Sequence, residues 1–182
     1  MPLKTLSIAL ICLFGALATA PKSYAASGPE IDTGVHATLD NFFYKIRGAR
    51  ELANKSVGIL VFPSVVKAGI GIGGEYGEGA LLIRGQTADY YNTVSASVGF
   101  QLGVQERSVI IMFMTESALR QFRNTAGWKA GVDGSVAIIT VGVGGSVDTN
   151  KVTSPVVGFI LDPKGLMYNL TLEGSKISRI SR

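Results

Sequence analysis

The chain has 182 residues, of which 47% are hydrophobic and 16% charged; that length suits one domain, and the charged share is well below the usual quarter. Apolar surface is ample for a core, which excludes disorder as the main state; six prolines and no Gly-X-Y period exclude collagen and proline-rich linkers. Glycine is the outlier at 23 residues, and the formal charge of +4 has to be recounted once the N-terminus is read.

Residues 1–25 have the layout of a secretory signal peptide. Lys4 supplies the positive start, Leu6 to Ala20 is an almost unbroken apolar run, and Ser23-Tyr24-Ala25 has the small-x-small pattern that signal peptidase accepts. The apolar run is short against the roughly 20 residues a spanning helix needs, so cleavage after Ala25 is expected, with retention as an anchor the alternative. Cys12 lies too early in the apolar run for a lipoprotein signal, and no Arg-Arg pair precedes it. Cleavage leaves residues 26–182 as a single domain. It removes Lys4 and Lys22, lowering the charge to +2, and it removes Cys12, the one cysteine. No disulfide framework, thiol nucleophile or cysteine-type zinc site is then available.

The helical segment is expected at about residues 30–55. Val35, Leu39, Phe42, Phe43 and Ile46 recur at helical spacing as one apolar stripe over 30–46, which should pack on the domain's own core. Gly48 should interrupt this helix, with one or two further turns over 49–54. Basic residues crowd this region: Lys45, Arg47, Arg50, Lys55 and Lys67 face only Glu51 between residues 45 and 67. Such a block is either a solvated face or a patch for anionic lipid headgroups.

A β-rich core is expected over about 57–182. Val57-Gly-Ile-Leu-Val-Phe62 is a short apolar run ended by Pro63, as for a buried strand. From residue 68 to 83 glycine alternates with isoleucine, placing Gly69, Gly71 and Gly73 on one face and Ile70 and Ile72 on the other. Such bare faces let another backbone approach closely. Small-residue segments return at 94–103 and 131–145, which suggests a repeated hairpin-like unit. Between them, residues 115–123 form the one inserted helix, with Thr115 as N-cap and Leu119 and Phe122 on one side. The end is β-like at 156–161 and 166–172, around the turn Asp162-Pro-Lys-Gly165. The fold class is α+β: a glycine-rich antiparallel sheet or barrel-like core, an N-terminal helical segment and one inserted helix.

Catalytic motifs fail on context. Gly69-Ile-Gly-Ile-Gly-Gly74 matches G-x-G-x-x-G, but Glu75-Tyr-Gly-Glu-Gly79 cannot open the helix a dinucleotide site needs. Ser64-Val-Val-Lys67 matches S-x-x-K without the S-D-N and K-T-G elements of acylating enzymes. His36 is the single histidine and is expected at the surface, so neither a metal constellation nor a triad can be assembled. Glu75 and Glu78 are expected in a solvated glycine-rich turn rather than as an acid/base pair. Asn54-Lys-Ser56 and Asn169-Leu-Thr171 are glycosylation sequons by pattern, meaningful only in a eukaryotic secretory route. Basic residues are not interleaved with aromatics, so no nucleic-acid partner is expected. The expectation is a protein without catalytic residues, metal or cofactor.

Five motifs in order carry a family resemblance: Val57-Gly-Ile-Leu-Val-Phe-Pro63, then Lys67-Ala-Gly69 with Gly73-Gly-Glu-Tyr-Gly-Glu-Gly79, then Ser95-Ala-Ser-Val-Gly-Phe-Gln-Leu-Gly103, Phe113-Met-Thr-Glu-Ser-Ala-Leu119 and Gly131-Val-Asp-Gly-Ser-Val136. With the preceding helix they cover nearly all of residues 30–182. The chain resembles the SYLF domain family of bacteria and of eukaryotic actin-patch SH3 proteins. That resemblance implies phospholipid binding without catalysis. It places the membrane-contacting segment at residues 35–55, with Phe42 and Phe43 inserting and Lys45, Arg47, Arg50 and Lys55 pairing with phosphates; Lys67 completes the same basic block. With a signal peptide and no SH3 domain, actin and phosphoinositides are not expected as partners. The expectation is an exported protein of the periplasm or cell envelope, peripheral to a membrane and bound to anionic phospholipid. The alternative is a small outer-membrane β-barrel or structural envelope protein.

Overall fold

The computed structural model describes residues 25–139, 145–162, 165–166, 172 and 174–182. The expected signal segment up to residue 24 and the sequon Asn169-Leu-Thr171 lie outside them. Helix α1, Gly28–Lys45, begins on Ser27, whose N–H and hydroxyl both donate to the Glu30 carboxylate at 2.7 Å. These bonds, the backbone N–H first, hold the Glu30 carboxyl below its ordinary pKa. Gly48 ends the approach to the next helix with φ +83, a left-handed conformation that glycine takes without steric cost. Helix α2, Ala49–Lys55, then runs on as expected.

Strands β1, Gly58–Ile83, and β2, Gln86–Phe113, form one long antiparallel hairpin. It turns at Arg84-Gly85, both with positive φ, as two-residue hairpins require. The first two small-residue segments are thus the facing arms of a single hairpin (Gly71 opposite Gly99, Gly73 opposite Ser97) rather than two repeats. Pro63 does not end the strand as expected. It carries no N–H for the ladder, and β1 continues past it through a register shift between Phe62 and Val65. Side chains at 68–72, including Ile70 and Ile72, lie outside the described part.

Helix α3, Glu116–Asn124, follows β2, and the Thr115 hydroxyl accepts from the Ala118 N–H at 3.3 Å. Short strands β3, Trp128–Lys129, and β4, Ala137–Ile138, lead to β5, Val156–Asp162, β6, Gly165–Leu166, and β7, Lys176–Ile180. The third small-residue segment makes no hairpin unit among the described residues: it supplies β4 and the Ala130–Gly134 bridge, and residues 140–144 lie outside the description. The seven described strands share one sheet in the order β3-β7-β2-β5-β4, with β1 on β2 and β6 on β5. Every strand pairing is antiparallel except β4 with β5. The sheet curls into a half-barrel, and the architecture is α+β.

Both faces of the sheet are covered, which explains why residues 57–62 read as an unbroken apolar run. On one face Val61, Ala80, Leu82, Ile110, Met112 and Phe159 pack under Ile31, Val35, Leu39 and Phe42 of α1 and Leu52 of α2. On the other, Leu60, Phe62, Leu81, Val109, Ile111 and Phe113 surround Leu119 and Phe122 of α3 and Trp128. Phe122 meets Tyr91 and Phe113 at 4.9 Å between ring centroids and Trp128 edge-on at 5.5 Å. Within the hairpin, β1 bends back on itself. A methyl group at Gly79 would stand 2.0 Å from the Val61 carbonyl oxygen, and one at Gly77 would stand 2.7 Å from that of Ser64. Close backbone approach thus occurs at Gly77 and Gly79; the surroundings of Gly69 and Gly71, on the expected bare face, lie outside the described part.

Candidate functional site

The C-terminal end of α1 turns a corner into α2, and the basic block gathers there. Tyr44 is 90% exposed, and Lys45, Arg47 and Arg50 are exposed beside it. The Arg50 guanidinium lies 4.6 Å above the Phe43 ring, a cation–π contact that leaves the cation facing solvent. The corner is braced from below: Arg47 N–H donates to the Gly145 carbonyl at 2.8 Å, and Val147 N–H donates to that of Arg47 at 2.9 Å. Lys55 is half-exposed and paired with Glu51 at 2.8 Å, and both reach Thr149. The Lys55 hydrogen bond, then Thr149, keeps the Glu51 carboxyl below its ordinary pKa. Among the described residues neither Lys45 nor Arg50 has a carboxylate partner. The corner is therefore a cationic, aromatic-edged surface suited to phosphate groups on an apolar boundary.

The expected site residues divide under this geometry. Lys45, Arg47, Arg50 and Phe43 come together at the corner. Lys55 is nearby, with its charge shared with Glu51. Phe42 does not belong to the surface: it is fully buried, its ring 4.7 Å from Phe159. The expectation that Phe42 inserts into a membrane is corrected, because helical spacing turns its side chain onto the sheet while Tyr44 points away from it. Tyr44 was missed because it falls outside the apolar stripe. Lys67 also stands apart. It lies on β1 beyond Pro63, whose ring sits against Gly34 in the middle of α1, and it pairs with Glu75 at 3.6 Å.

A groove of about 840 Å³ adjoins the corner, between α1 and α2 on one side and α3 on the other. Phe43 borders both. Leu39, Ile59, Leu82 and Leu119 give the groove an apolar floor, and His36, Asp40, Arg84, Glu116, Arg120 and Arg123 line its rim. His36 is exposed, as expected of a surface histidine. Arg84 enters the groove's lining from the left-handed hairpin turn, φ 53, where a non-glycine residue is uncommon. Nothing in the alternation of residues 68–83 pointed to it.

Glu75 and Glu78 overturn the solvated-turn expectation, because the glycine-rich segment is strand. Three positions apart, they leave β1 on opposite faces. Glu75 is buried and meets Arg107 at 2.5 Å and Lys67 at 3.6 Å. Glu78 accepts from the Tyr76 hydroxyl at 2.5 Å, from Arg182, and from the Ala26 N–H at 3.2 Å. Asp89, also buried, joins Arg123 of α3 to Arg179 of β7. Each carboxylate is neutralised by a cation, so none is posed as a general acid or base. Among the described residues no group of three or more histidines, cysteines or acids could hold a metal, and no helix is long and apolar enough to cross a membrane.

No curated protein matches the chain. Residues 94–181 match the family model Ysc84, described as Las17-binding protein actin regulator. The matched part runs from the second arm of the hairpin through α3 to β7, while α1, α2 and β1 precede it. Residues 94–181 are thus similar to a Ysc84 (SYLF) domain, in agreement with the motif resemblance.

Proposed function

We propose that this chain is an exported, non-catalytic phospholipid-binding protein acting at a membrane surface of the cell envelope. The observation that carries the reading is the α1–α2 corner, where Tyr44 stands exposed among Lys45, Arg47 and Arg50. A ring of this kind enters the headgroup boundary while the cations meet phosphates, each contributing about 1 kcal/mol near an anionic surface. The groove bordered by Phe43 offers an apolar bed next to that contact. The resemblance to the SYLF family, which implies phospholipid binding and which the match over residues 94–181 agrees with, supports the reading. The basic corner itself lies before the matched residues and rests on geometry. Export follows from the signal-like N-terminus, and it directs the reading to envelope lipid rather than to actin. Helices packed on both faces of the sheet favour a peripheral module over an outer-membrane barrel, whose outer face would meet lipid.

The test is cosedimentation with vesicles of anionic or zwitterionic phospholipid at low and high salt. Combined Lys45→Glu, Arg47→Glu and Arg50→Glu removes three attractive charges and adds three repulsive ones. At about 1 kcal/mol per lost cation, affinity for anionic vesicles should fall at least ~100-fold. Wild-type binding should weaken with salt as the surface charges are screened. Unchanged cosedimentation of the folded triple variant sinks the proposal.

A further inference from the structure

The Ala25–Ala26 peptide bond lies two residues ahead of α1, in chain that is neither helix nor strand, and the Ala26 nitrogen is 3.2 Å from Oε2 of Glu78. Glu78 is nine-tenths buried and already gathers Tyr76 and Arg182 on its other oxygen. We propose that this bond is the processing site and that its cleavage creates an α-ammonium on Ala26 that ion-pairs with Glu78, clasping the new N-terminus to β1 beside Arg182. The inference rests on the export reading above.

The chemistry is a hydrolysis. A signal peptidase adds water across the Ala25–Ala26 amide; the carboxylate leaves with Ala25 and the amine stays on Ala26, protonated near neutral pH. A hydrogen bond charged on its acceptor alone thereby becomes an ion pair charged on both sides. The position otherwise disfavours a cation. Ala26 stands at the start of α1, where the helix dipole is positive and a nearby ammonium is repelled. Glu30, the acid of the first turn, is engaged by Ser27. The groups around the Ala26 nitrogen are thus Glu78, with Tyr76 and Arg182 upon it, and Glu30. Only Glu78 offers the nitrogen an oxygen at hydrogen-bond distance among the described residues. Small-x-small patterning selects where the peptidase cuts, and Glu78 supplies the countercharge that the cut exposes.

Two measurements test this. The intact mass of protein exported from cells should correspond to a chain starting at Ala26. A different start, or an unprocessed chain, overturns the processing assignment. Separately, protein produced with Ala26 as its first residue should show an α-amine that titrates above the ordinary range of about 7.7–8.0, followed by NMR of the ¹³C-methylated amine. In Glu78→Gln the same amine should return to that range. An amine inside the ordinary range in wild type overturns the ion pair. Should Glu78→Gln fail to fold, a single glycine added before Ala26, which moves the amine about 3.8 Å along the chain, should lower its pKa and the melting temperature; no change in either overturns the proposal. Neither result touches vesicle binding, so failure here is distinguishable from failure of the membrane reading.

Discussion

Replacing Phe42 and Tyr44 by alanine, one at a time, separates the two faces of α1 that the corner depends on. Phe42 is fully buried against Phe159 and Phe43, and its loss leaves a ring-sized void between helix and sheet. Phe→Ala at such a site costs about 3–5 kcal/mol. For a domain of this size each kcal/mol moves the melting temperature by about 2–4 °C, so a fall of roughly 6–20 °C is expected. Tyr44, 90% exposed, has almost no packing to lose, and Tyr44→Ala should change stability by less than about 0.5 kcal/mol. Its effect should appear on vesicles instead. Part-burial of the ring in the headgroup boundary is worth on the order of 1–2 kcal/mol, so binding should weaken about 5- to 30-fold. Circular-dichroism melts and vesicle cosedimentation on the same preparations read both quantities. A Phe42→Ala protein that melts like wild type but no longer binds vesicles would refute the assignment of Phe42 to the core and Tyr44 to the surface.

The close approach inside the hairpin predicts that Gly79→Ala destabilises by about 1–3 kcal/mol or more in urea titrations, because the new methyl meets the Val61 carbonyl. Gly85→Ala, with open space but φ +78, should cost only about 1–2 kcal/mol from backbone strain; equal stability of Gly79→Ala and wild type would refute the close contact. For Glu78, burial raises the carboxyl pKa but is outweighed by the bonds from Tyr76 and Arg182, so the folded value lies below the unfolded one of about 4.3. The stability it contributes is present above that unfolded value and is lost as pH falls through the folded one, so Glu78→Gln should flatten the acid limb of urea midpoints measured from pH 6 to pH 3. Asp89→Asn unties α3 from β7 and should cost about 1–3 kcal/mol in thermal melts, with faster amide exchange in α3.

Much of this molecule was legible from residue order. Period 3.6 in residues 30–46 and the Thr115 cap marked α1 and α3, because those signals depend only on neighbours along the chain. The glycine excess marked a sheet, and the motif order pointed to the family whose model matches residues 94–181. Three things needed the tertiary structure. Pro63 and the glycine-rich stretch from Glu75 to Gly79 looked like a strand end and a turn, yet one strand runs through both, since a bulge absorbs the missing N–H and pairing with β2 continues on either side. Glu75 and Glu78 looked solvated in glycine-rich sequence, and only the tertiary fold brought Arg107 onto Glu75 and Arg182 and Ala26 onto Glu78. Phe42 and Phe43 looked alike as neighbours in an apolar stripe, and which ring is core depends on how α1 is rotated on the sheet. Local sequence determined which elements form; their burial and partners were decided by contacts between residues far apart in the chain.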